Sequence, residues 1–272
     1  MAVGTKRQRP SPDGREVLYG VHPVREALHA GRRAMHILTL DRKVPSARQL
    51  PVVELAEKRG VPRQTLTADQ IRASCGSGQH QGIALTVSPL PTVSLESILA
   101  ETGPAERACL LVLLDGIVDP HNLGAIVRTA HCVGVDAMVI PKDRAVGATP
   151  AVSKSSAGAL EHMRLCRVTN LAGAIQWLKK KGVWVAGLAM QADRSIFDAD
   201  LKGPLALVIG GEEKGLRPLV RRHCDYLVSI PLHGRVDSLN ASAAAAVVLY
   251  EALRQRRPPG KAPSAAHNNK FG

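Results

Sequence analysis

Apolar and polar positions along the chain follow two rhythms that alternate. From residue 109 onward, short unbroken apolar runs at 110–114, 135–140, 163–168, 183–189, 205–209 and 227–231 predict strands. Between them, apolar residues recur at helical spacing over 123–133, 151–161, 171–181, 215–222 and 241–255. Runs that are apolar at every position, rather than at every second one, suit strands buried on both faces, so the alternation predicts a mostly parallel sheet covered by helices. The upstream part carries a shorter α/β pattern. Gly20-Val21-His22-Pro23 leads into a short helix with Pro23 at its first position and Gly31 just past its end. Strands are expected at 35–40, 61–66 and 81–87, and a helix at 51–59 closed by Gly60. Thr67 and Gln70 have capping-box spacing ahead of another short helix. The organisation that follows is a tail at 1–15, a small α/β domain at 16–90, a linker at 91–108 with room for a helical turn, a larger domain at 109–257, and a tail at 258–272. Both tails are expected to be disordered.

Composition narrows the function class. Hydrophobic residues make up 45% of the 272, enough for a packed core. The longest apolar runs fall well short of the roughly 18 residues of a membrane span, which leaves the membrane out. The hydrophilic start lacks the pattern of a secretory signal, and five cysteines without a C-x-x-C pair suit neither a disulfide scaffold nor a zinc site. A reduced, cytoplasmic protein is expected. The chain carries a net charge of +13. Its ends are rich in base: Lys6, Arg7, Arg9 and Arg15 at one, and Arg254, Arg256, Arg257, Lys261 and Lys270 at the other. Such a distribution suits a polyanionic partner, because each phosphate contact releases counterions. Aromatics are only 3%, too few for base-stacking platforms, so recognition of nucleic acid would rest on phosphates, shape and a few polar contacts.

The common nucleotide fingerprints are missing. No G-x-G-x-x-G follows a predicted strand, and Gly210 and Gly215 are followed by Leu216-Arg217 where a phosphate loop needs Lys and Ser or Thr. His131-Cys132 and His223-Cys224 are adjacent pairs whose side chains diverge on a helix. Three loops at the carboxyl ends of predicted strands carry more information, since ligands of open α/β sheets bind there. In the first, 115–130, Asn122 is placed to cap the following helix and Gly124 admits a close neighbour. Arg128, one turn further on, leans back toward the loop mouth. The second, 210–217, puts paired glycines and Glu212 after a buried strand, where Glu212 either caps the next helix or holds a polar ligand group. The third, 230–240, ends in Ser238-Leu239-Asn240 and leads into an alanine-rich helix that Ser238 or Asn240 caps.

In this order the loops resemble the three signature motifs of the SpoU (TrmH-like, SPOUT) family of RNA ribose 2′-O-methyltransferases: Asn122-x-Gly124 with Arg128, Gly210-x-Glu212-x-x-Gly215, and Ser238-Leu239-Asn240. The stretch Ser156-Ala157-Gly158-Ala159-Leu160-Glu161 also fits. Tyr19 to Leu28 and His80-Gln81-Gly82-Ile83 look like the start and end of the substrate-binding domain of some members. This two-domain likeness, over about 17–257, points to the bacterial 23S ribosomal RNA guanosine-2′-O-methyltransferase branch. The same chemistry on a tRNA guanosine or another rRNA nucleotide, and non-catalytic RNA binding, are the competing readings.

The resemblance implies a parallel-sheet methyltransferase domain with a C-terminal trefoil knot, behind a small α/β RNA substrate-binding domain. It implies a homodimer, 23S rRNA as partner, no metal, and S-adenosylmethionine held largely by backbone at Gly210, Ile230 and Leu239. A guanidinium stays protonated in proteins, so Arg128 is expected to bind a phosphate and polarise the ribose 2′-oxygen rather than act as a base. Asn122, Glu212, Ser238 and Asn240 are expected to orient the reactants. His121, beside Asn122, is the rival base.

Overall fold

A computed structural model describes residues 14–43, 47–102, 108–192, 194–212 and 214–257. The two basic tails therefore lie outside the described residues, Gly14 and Arg15 aside. Near the start, β1 (Glu16–Tyr19), α1 (Val21–Ala30), β2 (Met35–Asp41), α2 (Leu50–Lys58), β3 (Arg63–Leu66), α3 (Ala68–Cys75) and β4 (Ile83–Val87) form a four-stranded sheet of order β1-β4-β2-β3 with α1 and α2 packed on one face and α3 on the other. The β2–β3 pair is parallel and the pairs made by β4 are antiparallel. Leu18, Val24, Leu28, Leu38, Val52, Ile83 and Leu85 fill its core. The capping box expected at Thr67 and Gln70 is present, and Gly31 closes α1 with a left-handed backbone.

The segment expected as linker instead holds α4 (Leu95–Thr102), two turns long, with Leu95 and Ile98 buried in one cluster with Leu111 and Leu113 of the second sheet and Leu171 of the helix that follows residue 170. Leu95, Ile98 and Leu99 make an apolar stripe at helical spacing, and that stripe decides the outcome over the flanking prolines. Then come β5 (Leu110–Asp115), α5 (Pro120–Val133), β6 (Ala137–Pro141), α6 (Pro150–Ser155), β7 (Leu165–Val168), α7 (Leu171–Lys180), β8 (Trp184–Leu188), β9 (Leu205–Gly210), α8 (Pro218–His223), β10 (Tyr226–Val228) and α9 (Ala241–Arg256). The six strands pair in parallel throughout, in the order β10-β8-β9-β5-β6-β7. Every residue of β5 and β6 is buried, as unbroken apolar runs require. One core packs α5 and α9 on one face and another packs α4 and α7 on the opposite face.

Some expected boundaries shift. The helix expected at 151–161 stops at Ser155, because Ala157 and Gly158 adopt left-handed φ values of 53° and 87° before a single tight turn, Ala159–Glu161. The strand expected at 227–231 ends at Val228, and residues 231–240 are all exposed loop. The helix expected from 215 begins only at Pro218, which fits a first helical position.

That tight turn joins the two halves of the molecule. Arg33, beyond α1, and Glu161 pair with side chains only 1% exposed: Nε donates to Oε2 at 2.7 Å and Nη2 to Oε1 at 3.2 Å. Nη1 of Arg33 also donates to Glu16 at 2.6 Å and to the Ser88 carbonyl at 3.1 Å, while Ser153 Oγ donates to Glu161 at 2.8 Å. Burial pushes the Glu16 carboxyl above its usual range despite the neighbouring guanidinium. Glu26 bonds His162 at 2.9 Å, which with Arg25 holds its carboxyl down at about 2. Arg32 donates to the Met163 carbonyl at 2.7 Å.

Candidate active site

The site begins where β5 and β9 end side by side, Asp115 opposite Gly210. A Cβ on Gly210 would run into the backbone of Gly215 and Leu216, so only glycine lets the 210–216 loop fold back on its own strand. Asp115 fixes that loop. Its carbonyl accepts from Gly211 N–H at 3.0 Å, and its buried carboxylate accepts from the backbone N–H and Nε of Arg217 at 2.7 and 2.5 Å.

Across from it, α5 starts three residues earlier than the sequence suggests. Asp119, not Asn122, caps the helix, its side chain accepting from His121 N–H at 3.1 Å with Pro120 at the first position. Asn122 is thereby released from capping. Its Nδ2 donates to Glu212 Oε1 at 2.8 Å, and its Oδ1 accepts from Asn240 Nδ2 at 3.0 Å. Asn240 Nδ2 also donates to Glu212 Oε1, closing a three-membered ring of side chains, one from each loop. Asn240 caps α9 as well: its Oδ1 accepts from Ser242 N–H at 2.9 Å and Ser242 Oγ at 2.6 Å. One side chain thus sets both the helix start and the cluster. Gly124 admits a close neighbour as expected, and the neighbour is α6, whose Ser155 occupies the space a Cβ would take and donates from Oγ to the Pro120 carbonyl at 2.9 Å.

Next to the cluster lies a cavity of about 740 Å³ bounded by the 188–191, 209–216 and 229–241 segments. Gly210, Ile230 and Leu239 all line it, together with Glu212 and Ser238. The size falls within the range of small-molecule sites. The wall is apolar at Leu188, Ile209, Leu216, Ile230 and Leu239 and offers main-chain groups at paired glycines, a donor set that suits a nucleoside with an aliphatic arm. Arg128 stands apart from it. It is exposed on α5, forms no hydrogen bond or ion pair to the described residues, and its charge acts on His22 of the first unit. Among the described residues no cluster of His, Cys, Asp or Glu could hold a metal ion.

Residues 109–250 match the SpoU rRNA Methylase family, and residues 17–93 match the RNA 2′-O ribose methyltransferase substrate-binding family. The chain belongs to the SpoU rRNA methylase family. It is 41% identical over 242 residues to the 23S rRNA (guanosine-2′-O-)-methyltransferase RlmB of Coxiella burnetii, covering 89% of this chain and 96% of that protein. The RlmB of Pseudomonas syringae pv. tomato is 43% identical over 257 residues, at 89% and 96% coverage. Among solved structures, the SpoU methyltransferase AviRb from Streptomyces viridochromogenes in complex with AdoMet superposes with a TM-score of 0.77 at 28% identity, covering 92% of this chain and 94% of that one. The expected family and two-part α/β architecture therefore hold.

Sequence reasoning about this SpoU member passed over Asp115 and Ser155. A carboxylate ending an otherwise apolar buried strand was the available signal for Asp115, since a buried charge requires a partner. Ser155 carried none, because only the crossing of α5 and α6 gives it a role.

Proposed function

We propose that this chain methylates the 2′-hydroxyl of a guanosine ribose in 23S ribosomal RNA with S-adenosylmethionine as donor. The observation that carries the reading is the Asn122–Glu212–Asn240 ring at the rim of the 740 Å³ cavity, built from loops 90 and 28 residues apart in sequence. The 23S-methylating relatives, similar over nearly their whole length, favour this substrate over tRNA.

The donor, when bound, supplies a methyl group already activated on a sulfonium sulfur. Gly210, Ile230 and Leu239 would hold it, with main-chain groups and an apolar wall keeping water from the reacting methyl. The protein's contribution is then alignment. Glu212 accepts from both amides, fixing Asn122 and Asn240, and the second Nδ2 hydrogen of Asn122 is left for the ribose. Ser238, also at the cavity wall, adds a hydroxyl. Arg128 is free to bind the phosphate beside the target and stabilise the developing alkoxide. The 2′-oxygen forms the new bond to carbon, the carbon–sulfur bond breaks, and the hydroxyl proton leaves to solvent. On this reading the loops gathered around the cavity are those of the family's knot, and the site of action is the cytoplasm, where ribosomal RNA of bacteria is modified.

The reading includes a homodimer. Ala243, Val247, Tyr250 and Arg254 line an outward face of α9, whose opposite face packs in the core, and Leu232, Val236 and Leu239 are exposed nearby. A helix apolar on both faces needs cover on both. Sedimentation of the wild type and Val247→Asp tests this, with a shift from dimer to monomer expected; a monomeric wild type would overturn it.

Labelled methyl transfer to purified 23S rRNA and to tRNA, followed by mapping of ribose methylation, tests the activity. Label at a guanosine 2′-oxygen of 23S rRNA is expected. Label in tRNA alone, or none in either, refutes the assignment. If His121→Ala abolishes turnover and Arg128→Lys retains it, the role of Arg128 is wrong.

A further inference from the structure

Two stretches singled out in the sequence, 19–28 and 80–83, contribute nothing to the cavity or the Asn122 ring. The fold brings them together at the seam between the two units. Gln81, in a left-handed conformation with φ of 56°, accepts through Oε1 from Val21 N–H at 3.1 Å and from Lys154 Nζ at 3.0 Å. Lys154 comes from α6 of the methylase unit and lies over Gly20, where a Cβ would collide with its ammonium. His22 and Arg25 on α1 approach within 3.4 Å of each other. Burial lowers the proton affinity of His22, and the charges of Arg25, Lys154 and Arg128 lower it further against the opposing carboxylate of Glu26.

Lys154 of the methylase unit thus lies against Gly20 and Gln81 beside the His22–Arg25 pair of the first unit, and the charge of Arg128 reaches His22. The nearest carboxylate, Glu26, is engaged by Arg25 at 3.0 Å and His162 at 2.9 Å. Among the described residues, no carboxylate forms an ion pair with Lys154 or Arg128. Lys154 is half-buried, its partner is a neutral amide oxygen, and desolvation pushes its pKa down. A desolvated ammonium with only a neutral amide oxygen as partner is costly until an anion arrives. Arg128 and Asn122 share α5, about 9 Å apart along its axis, so one strand can touch both the seam and the reactive cluster.

The geometry points to a phosphate subsite at this seam, formed by His22, Arg25, Lys154 and Arg128, that holds the RNA backbone next to the target ribose. It rests on the RNA-methylating reading above and adds to it where the strand crosses the two units. It also assigns a role to the 19–28 and 80–83 stretches, which hold Lys154 in place through Gln81 and Gly20.

The test compares wild type, Lys154→Gln and Lys154→Arg. Binding of in vitro transcribed 23S rRNA is measured at several salt concentrations, S-adenosylmethionine binding by calorimetry, and folding by thermal melting. For Lys154→Gln, weaker RNA binding and a salt slope lower by about one are expected. Lys154→Arg is expected to keep the wild-type slope, and both variants the wild-type donor Kd. An unchanged slope in Lys154→Gln overturns the subsite, as does an equal loss in Lys154→Arg, which would mark packing rather than charge. A wild type that binds RNA with this Lys154-dependent slope yet transfers no methyl would refute the enzymatic reading and leave the subsite standing.

Discussion

Glu161→Ala is the substitution that most directly probes how the two units are joined. It leaves Arg33, with a side chain 1% exposed, holding its bonds to Glu16 and Ser88 but with Nε and Nη2 stranded. Two buried donors without partners cost roughly 1–3 kcal/mol each. That sum agrees with the about 3–5 kcal/mol typical when one partner of a buried ion pair is removed. Ser153 Oγ loses its acceptor too, which places Glu161→Ala toward the upper part of that range. Because desolvating the pair is itself expensive, Arg33→Met with Glu161→Leu should restore much of the loss. Urea unfolding followed by circular dichroism, on Arg33→Met, Glu161→Leu and the double, gives the cycle. A coupling of about 2 kcal/mol or more between the two sites is expected. A cost for Glu161→Ala below about 1 kcal/mol, or strictly additive singles, would refute the reasoning.

Glu212→Ala removes the acceptor shared by Asn122 and Asn240, and single-turnover methyl transfer should fall by about 100-fold or more, with the donor Kd, read by calorimetry, changed far less. Gly210→Ala forces a Cβ into the Gly215 backbone, so donor binding is expected to be lost and the melting temperature lowered; a variant that binds donor normally would show that the loop has room. Glu26 is ordinarily near 4.5 and is held at about 2, so its ion pairing stabilises the fold above pH 4.5 and is lost as pH falls from there toward 2. The stability gap between wild type and Glu26→Gln should therefore shrink across that window in pH-dependent urea titrations, and a gap independent of pH would refute it.

The chain order of strands and helices was legible because buried parallel strands are apolar at every position, as in 110–114 and 205–209. Asn122, Glu212 and Asn240 were legible as polar residues in strand-end loops, and the structure brings all three within hydrogen-bonding reach. The cap of α5 was misplaced because Asn122 is a good capping residue, yet Asp119-Pro120 is a better start: the proline needs no N–H partner at the first position. The helix over 151–161 was overextended since its alanines favour continuation, while the left-handed break at Ala157-Gly158 is stabilised by packing against α1. Arg128 was expected at the loop mouth. It is exposed on α5 outside the lining of the cavity, and its charge reaches His22 of the first unit, a proximity that local spacing does not encode.

Strand β9 fills the slot between β5 and β8, although β5, β6, β7 and β8 all precede it in the chain. During synthesis the growing polypeptide therefore holds a gap in the middle of its larger sheet, with two unsatisfied edges of exactly the kind that recruit foreign strands. Non-local pairing of this sort is slow to form. A product terminated before residue 205 would lack the seal as well as Gly210 and Glu212, and should prove both inert and prone to aggregate.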